Sequence, residues 1–253
     1  VGGELISQIK KMHPSLLEHQ GVDIRVVGIA NSRHFLTDAA GIDLESYHDR
    51  LHSQDLPPFS LERTAKLTHD SHLVNPILVD CTSIVRLALT YGDRMRADVH
   101  VVTPSRKANP GSFAYYQRLR HPARRYHRKF MYEANVGAGL PVISTLQNEQ
   151  SAGDRLIEFS GIMSGTLSYI FGLVEDGATL SEATAKAYEL GYTEPNPADD
   201  LEGTDVARKL LILARECGMR LELSDVKVEC AVDKKYLQGS DADEVLEGLK
   251  RAD

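Results

Sequence analysis

The sequence predicts an α/β fold in two domains, residues 1 to 142 and 143 to 253, and three observations lead there. Short apolar runs at 24–29, 77–80 and 99–103 have the length and composition of buried strands and alternate with helical stretches. A run of small residues, Val136-Gly137-Ala138-Gly139-Leu140-Pro141, reads as a hinge. Beyond it the spacing turns to that of amphipathic helices, most clearly from Val206 to Cys217. At 253 residues with 42% hydrophobic content, the chain is long enough to build real cores in both parts.

The first element is a helix over Leu5–Leu17, entered through Val1-Gly2-Gly3, which reads as the tail of a glycine-rich turn whose preceding strand is missing. Ile24 to Ile29 follows as a buried parallel strand and ends in Ala30-Asn31-Ser32-Arg33. Dinucleotide-binding units of the Rossmann type usually carry an acidic residue near here for the ribose hydroxyls. Asn31, Ser32 and Arg33 suit a 2′-phosphate instead, so NADP is expected over NAD. Residues 41–72 are polar and irregular around Pro57-Pro58.

The next strand, Ile77-Leu78-Val79-Asp80, ends in Cys81-Thr82-Ser83, and a third runs Val99-His100-Val101-Val102-Thr103. In an open α/β sheet ligands sit at the carboxyl ends of strands, so Cys81, Thr82 and Thr103 are expected to border the cofactor. A strand-end cysteine can also attack an aldehyde, but nothing near Cys81 in sequence supplies a partner histidine. Tyr115 to Phe130, rich in Arg, Lys and His, reads as a solvated helix face.

In the second domain Ser164 or Thr166 caps one helix, and another spans Ser181–Leu190. The stretch Gly191 to Lys209 then places five carboxylates and one lysine around a turn stiffened by Pro195 and Pro197. Asp199 or Asp200 is the expected N-cap of the following helix, with Val206, Ala207, Leu210, Leu211, Leu213 and Ala214 on its apolar arc. Asp205 and Lys209, at i and i+4, share a face. An isolated pair of this kind is ordinarily a surface ion pair worth roughly 0.2–0.5 kcal/mol. Beside further carboxylates, however, such anions can hold an ammonium and the lysine can hand a proton to a nearby oxygen.

The formal charge of -7 argues against a nucleic-acid or anionic-membrane partner, and no apolar run approaches the ~20 residues that span a bilayer. Cys81, Cys217 and Cys230 have no CxxC spacing, which fits a reducing compartment; cytoplasm is the expected location. The ten histidines show no HExxH or Cys/His spacing for a transition metal. A noncatalytic ligand-binding or regulatory module is the alternative reading.

The segment Ala187-x3-Gly-Tyr-Thr-Glu-Pro-Asn-Pro-x2-Asp-Leu-x-Gly-x-Asp-x3-Lys209 resembles the signature of homoserine dehydrogenases, and TDVARKLLILAREC looks most like the dehydrogenase part of bifunctional aspartokinase/homoserine dehydrogenases. The resemblance runs from Val1 to Asp253, and the family chain continues at both ends. It implies reversible oxidation of homoserine to aspartate semialdehyde with a nicotinamide cofactor, in a Rossmann-like domain joined to a smaller α+β substrate and dimerisation domain. A homo-oligomer is thus expected. The matching residues imply that Lys209 is the proton donor and that Glu194, Asp200, Asp205, Gly165, Thr166 and Tyr192 contact the substrate. Gly2 and Gly3 match the end of the family's glycine-rich cofactor turn. Glu133, with the carbonyls of Val136, Ala138 and Leu140, matches a site for a monovalent cation such as Na+.

One departure stands out. Where the family has TPNKKA, this chain has Thr103-Pro104-Ser105-Arg106-Lys107-Ala108. The first family lysine approaches the reacting carbon beside the cofactor. Arg106 keeps its positive charge but does not lose a proton at working pH, and Lys107 substitutes only if the loop shifts.

Overall fold

Gly2 opens the first helix, α1 (Gly2–Gln20), in the computed structural model, which describes residues 1–253 apart from Gln54, Ser71, Lys107 and Ala231 and the side chain of Asp70. Lys107, expected at the cofactor, thus lies outside the described residues. The chain forms two compact units, residues 1–105 with 118–131, and residues 106–117 with 132–253.

In the first unit, β1 (Gly28–Ala30) and β2 (Phe35–Thr37) pair antiparallel, with Ile29 opposite Leu36. The buried parallel strand expected over 24–29 is therefore replaced by a hairpin, and Ile24 remains 38% exposed. Asn31 accounts for the difference. Its side-chain oxygen accepts from the amides of Arg33 (2.8 Å) and His34 (2.7 Å), an Asx turn that folds the chain back at once. Leu36, Ile42 and Leu51 are buried together, with Val26 and Ile29 against them.

Helices α2 (Tyr47–Leu51) and α3 (Leu61–Asp70) follow, then β3 (Ile77–Val79), α4 (Val85–Ala88), α5 (Tyr91–Arg96), β4 (His100–Val102), α6 (Phe113–Arg125) and β5 (Phe130–Met131). The last three strands form a parallel sheet in the order β3-β4-β5, with Leu78 opposite Val101 and Val101 opposite Phe130. Strands joined through helices in this way give the unit its Rossmann-like character. Tyr91, Met95, Val99 and Val101 are fully buried in it, and an apolar side chain of this size stabilises by about 1.5–3 kcal/mol on leaving water.

The second unit contains α7 (Val142–Ser151), α8 (Gly165–Glu175), α9 (Leu180–Glu189), α10 (Ala198–Leu201), α11 (Thr204–Glu216) and α12 (Ala242–Leu249). Among its described residues there is no strand, so the β part expected of an α+β domain is absent there. The run 154–163 has no regular structure; Ile157 is 99% exposed and no neighbouring strand pairs with it, as a lone strand requires for stability. Ser164 caps α8 by accepting from the Leu167 amide at 3.1 Å, while Thr179 and Glu182 form a capping box on α9. Ile170, Ala187, Leu201, Val245 and Leu249 share the core.

The single helix expected after the proline turn is two. Asp199 and Asp200 sit in the first turn of α10, and α11 starts from Gly203, whose φ of 72° lies in the left-handed region. A residue without Cβ takes that conformation at little steric cost, so the chain can change direction between the two helices. The buried face of α11 comprises Ala207, Leu211, Ile212, Leu213 and Arg215, with Leu210 turned outward.

Candidate active site

The change of direction at Gly203 puts Asp205 in the first turn of α11 and Lys209 one turn further on. Lys209 Nζ lies 2.8 Å from Asp205 Oδ2 and donates to the Met163 carbonyl at 2.7 Å. Both side chains are largely buried, and the other Asp205 oxygen meets the guanidinium of Arg106. Arg106 also stands 3.7 Å from Glu194 Oε1. Asp200, 7% exposed, accepts the Glu194 amide at 2.7 Å and so fixes the backbone of the proline turn. The second unit thus gathers three carboxylates and two cations from segments far apart in sequence.

Their electrostatics follow from partial burial. Desolvation pulls Lys209 below the ordinary lysine range, and the charge of Arg106 adds to this, against the opposing pull of Asp200 and Glu194. Burial pushes Asp200 above the usual carboxylate range, partly offset by the Glu194 amide. Burial likewise lowers Arg106, while Glu194 supports its charge. A lysine whose charge is disfavoured by burial and by a neighbouring guanidinium gives up its proton more readily than a solvated one.

Thr166 donates its hydroxyl hydrogen to the Tyr192 carbonyl at 2.6 Å, and the Tyr192 ring sits edge-on to Tyr169 with centroids 5.1 Å apart. Gly165 opens α8 with no atom within 4 Å of the place its Cβ would take, which leaves open space there. The Met163 carbonyl, a backbone group, has no signal in the sequence; Arg106 is expected near the reacting carbon, but its seat among the carboxylates depends on a segment about a hundred residues away.

Of the residues expected at the cofactor, the first unit holds Gly2, Gly3, Asn31, Ser32, Arg33, Cys81, Thr82 and Thr103, whereas Arg106 belongs to the second unit and stands among the carboxylates. A Cβ placed on Gly2 would stand 3.6 Å from Cys81 Cβ, so the start of α1 lies beside the tip of β3, and Gly3 faces the Tyr47 hydroxyl. A helix start beside a strand tip offers free amides to a phosphate, and these residues fit a dinucleotide. Thr82 remains exposed and accepts from the Ile84 amide. Thr103 is 1% exposed; its hydroxyl donates to the Asp80 carbonyl at 2.8 Å and accepts from Ser105, a buried structural role. The Asn31 side-chain oxygen serves the hairpin turn, leaving Ser32 and Arg33 exposed at its tip. Burial pushes the Cys81 thiol up, away from the thiolate that nucleophilic attack needs.

At the small-residue segment, Glu133 caps α7, its oxygens accepting from Ile143 (2.7 Å) and Ser144 (3.0 Å). The Leu140 carbonyl accepts from Val142 at 2.9 Å, Ala138 takes a φ of 52°, and Val136 is buried. No group of three or more His, Cys, Asp or Glu side chains suited to a metal ion occurs among the described residues. Nor, among them, is any helix long and apolar enough to cross a membrane.

Comparison with known proteins covers nearly the whole chain. Residues 1–133 match the family model for the homoserine dehydrogenase NAD binding domain, and residues 141–250 that for homoserine dehydrogenase. The chain is 50% identical over 254 residues to a bifunctional aspartokinase/homoserine dehydrogenase of Haemophilus influenzae, an alignment covering 100% of this chain and 31% of that protein. It is 35% identical to a homoserine dehydrogenase of Schizosaccharomyces pombe, over 100% of this chain and 69% of the relative. The crystal structure of the Thermoplasma acidophilum homoserine dehydrogenase matches with a TM-score of 0.70 at 26% identity, covering 92% of this chain and 71% of that one. The chain therefore spans about a third of its bifunctional relative and carries both dehydrogenase parts. It belongs to the homoserine dehydrogenase family.

Proposed function

We propose that this chain interconverts L-homoserine and L-aspartate 4-semialdehyde with a nicotinamide cofactor, NADP in preference to NAD. The observation that carries the reading is the placement of Lys209 Nζ between Asp205 Oδ2 (2.8 Å) and the Met163 carbonyl (2.7 Å), next to Glu194 and Asp200. A bound nicotinamide supplies the hydride for the aldehyde carbon. Lys209 hands its proton to the oxygen that becomes the alkoxide, and in the reverse direction takes it back. Glu194, with Asp200 behind its backbone, attracts the substrate ammonium, and Asp205 keeps Lys209 in line. Orientation of this kind contributes several kcal/mol to lowering a barrier.

In the first unit, Gly2, Gly3, Cys81 and Thr82 are the proposed neighbours of the pyrophosphate, with Arg33 and Ser32 reading the 2′-phosphate. A monovalent cation held by Glu133 and the carbonyls of Val136, Ala138 and Leu140 belongs to the same proposal, because a carboxylate oxygen that accepts one amide keeps a further lone pair. So do a homo-oligomeric state and a cytoplasmic location. The test follows NADPH absorbance with aspartate semialdehyde in the complete protein. Consumption that depends on the semialdehyde is the expected result, and a flat trace at saturating substrate overturns the assignment.

A further inference from the structure

Arg215 is a fully engaged cation of the second unit. Its side chain is wholly buried. Nε and Nη2 donate to the Leu221 carbonyl at 3.0 and 2.8 Å, Nη2 also reaches Glu222 Oε2 at 3.1 Å, and Nη1 donates to the carbonyls of Asn109 (2.9 Å) and Gly111 (2.7 Å). These five contacts match the five N–H donors of a guanidinium. Its guanidinium carbon lies over the rings of Phe113 and Tyr116, 5.7 and 5.4 Å from their centroids. Two of the carbonyls it grips lie just beyond Arg106 in sequence. The same segment is tied twice more: Asn109 donates to the fully buried Asn135 at 2.8 Å, and the Phe113 amide donates to Glu222 Oε1 at 2.9 Å.

Arg215 stands on α11, the helix that carries Asp205 and Lys209. One rigid element therefore holds the backbone of the Arg106 segment at one end and the carboxylate that Arg106 meets at the other. We infer that Arg215 is a positioning residue for the reaction: it fixes the 108–113 backbone on α11 and thereby sets where the Arg106 guanidinium stands against Asp205 and Glu194. A lysine there keeps the charge but offers a single point donor, which cannot span carbonyls of two segments in the fixed fork geometry. A buried charge serving core stability alone has no need to address the segment that follows Arg106.

This inference rests on the proposed reaction, and the experiment separates the two. In the complete protein, Arg215→Lys is expected to lower kcat/KM about 10- to 100-fold, the scale of an ångström-level misplacement. The discriminating measurement is a double-mutant cycle. Arg106→Gln, costing about tenfold in the parent, should cost less than about threefold in the Arg215→Lys background, because the guanidinium is already displaced there. The same fold loss in both backgrounds overturns the inference, since a purely structural arginine gives independent effects. Hydrogen exchange is the second readout: amides of 108–113 should lose protection in Arg215→Lys while those of α9 keep theirs, and unchanged protection at 108–113 also overturns it. If Arg215→Lys does not fold, Glu222→Gln, which removes one charged partner from a half-exposed position, is put through the same cycle and exchange measurement, with the same outcomes at smaller size. A parent protein without dehydrogenase activity would sink the proposed reaction, and exchange alone would then decide the role of Arg215.

Discussion

On Asp205 the two carboxylate oxygens serve different cations, Oδ1 meeting Arg106 and Oδ2 meeting Lys209, so substitutions at these residues should separate charge from proton transfer. Lys209→Ala is expected to keep the fold and lower turnover by ~10²–10⁴, measured as kcat at saturating semialdehyde. Its pH dependence has a definite sign. In the reducing direction the protonated lysine is the active form, so the rate falls as pH rises through a Lys209 pKa that lies below the ordinary lysine range; in the oxidising direction it rises over the same interval. Arg106→Gln should move that limb upward, since it removes a positive charge that lowers Lys209. A limb that stays in place would show that the Arg106 charge does not act on Lys209. Glu194→Gln should chiefly raise KM with turnover nearly held, as expected for an anion that binds the substrate ammonium in ground and transition states alike. The pairing of Asp205 with Lys209 was legible in the sequence because i and i+4 residues of a helix face each other whatever surrounds them. The pairing of Arg106 with Asp205 and Glu194 was not, since it depends on contacts made across about a hundred residues.

At the scale of the element, the turn into α11 decides most. Gly203 takes a left-handed φ, and a Cβ there would come within 3.3 Å of Val228 Cγ1. Gly203→Ala is expected to destabilise the protein by about 1–2 kcal/mol in denaturant titration and to lower kcat, because strain at the start of α11 shifts Asp205 and Lys209 together. Helix propensity and the proline turn predicted that a helix carried these residues, but local pattern could not show that four residues of α10 precede it. The first hairpin went the other way. Five apolar residues of six over 24–29 satisfy the rule for a buried strand, yet the Asn31 carboxamide closes a turn that local hydrophobicity does not encode. That turn exposes Arg33, so Arg33→Asp should shift cofactor preference from NADPH towards NADH; an unchanged ratio of the two kcat/KM values would remove Arg33 from 2′-phosphate recognition.

For the molecule as a whole, the two units have their own cores, and the residues proposed for dinucleotide and for substrate fall mostly in different units, so the first effects of each ligand should differ. NADPH at about 100 times its Kd is expected to stabilise by ~2.7 kcal/mol and to slow exchange first in residues 1–105, whereas homoserine alone should protect α8, α10 and α11. Protection by homoserine confined to residues 1–105 would contradict the placement of the substrate site. The small-residue run 136–141 marks the domain border expected at 142. The contact pattern instead assigns 132–142 to the second unit and sends 106–117 there as well, an exchange of chain that no linker composition announces. This has a consequence for recombination. A chimera made with one crossover near residue 131, to borrow another enzyme's nucleotide domain, would import a foreign 106–117 segment into the second unit, where the Arg215 fork grips the backbone at 109 and 111. Exchange of cofactor domains should therefore succeed when the native 106–117 segment is grafted back into the borrowed domain, and single-crossover libraries should lose turnover before they lose cofactor binding.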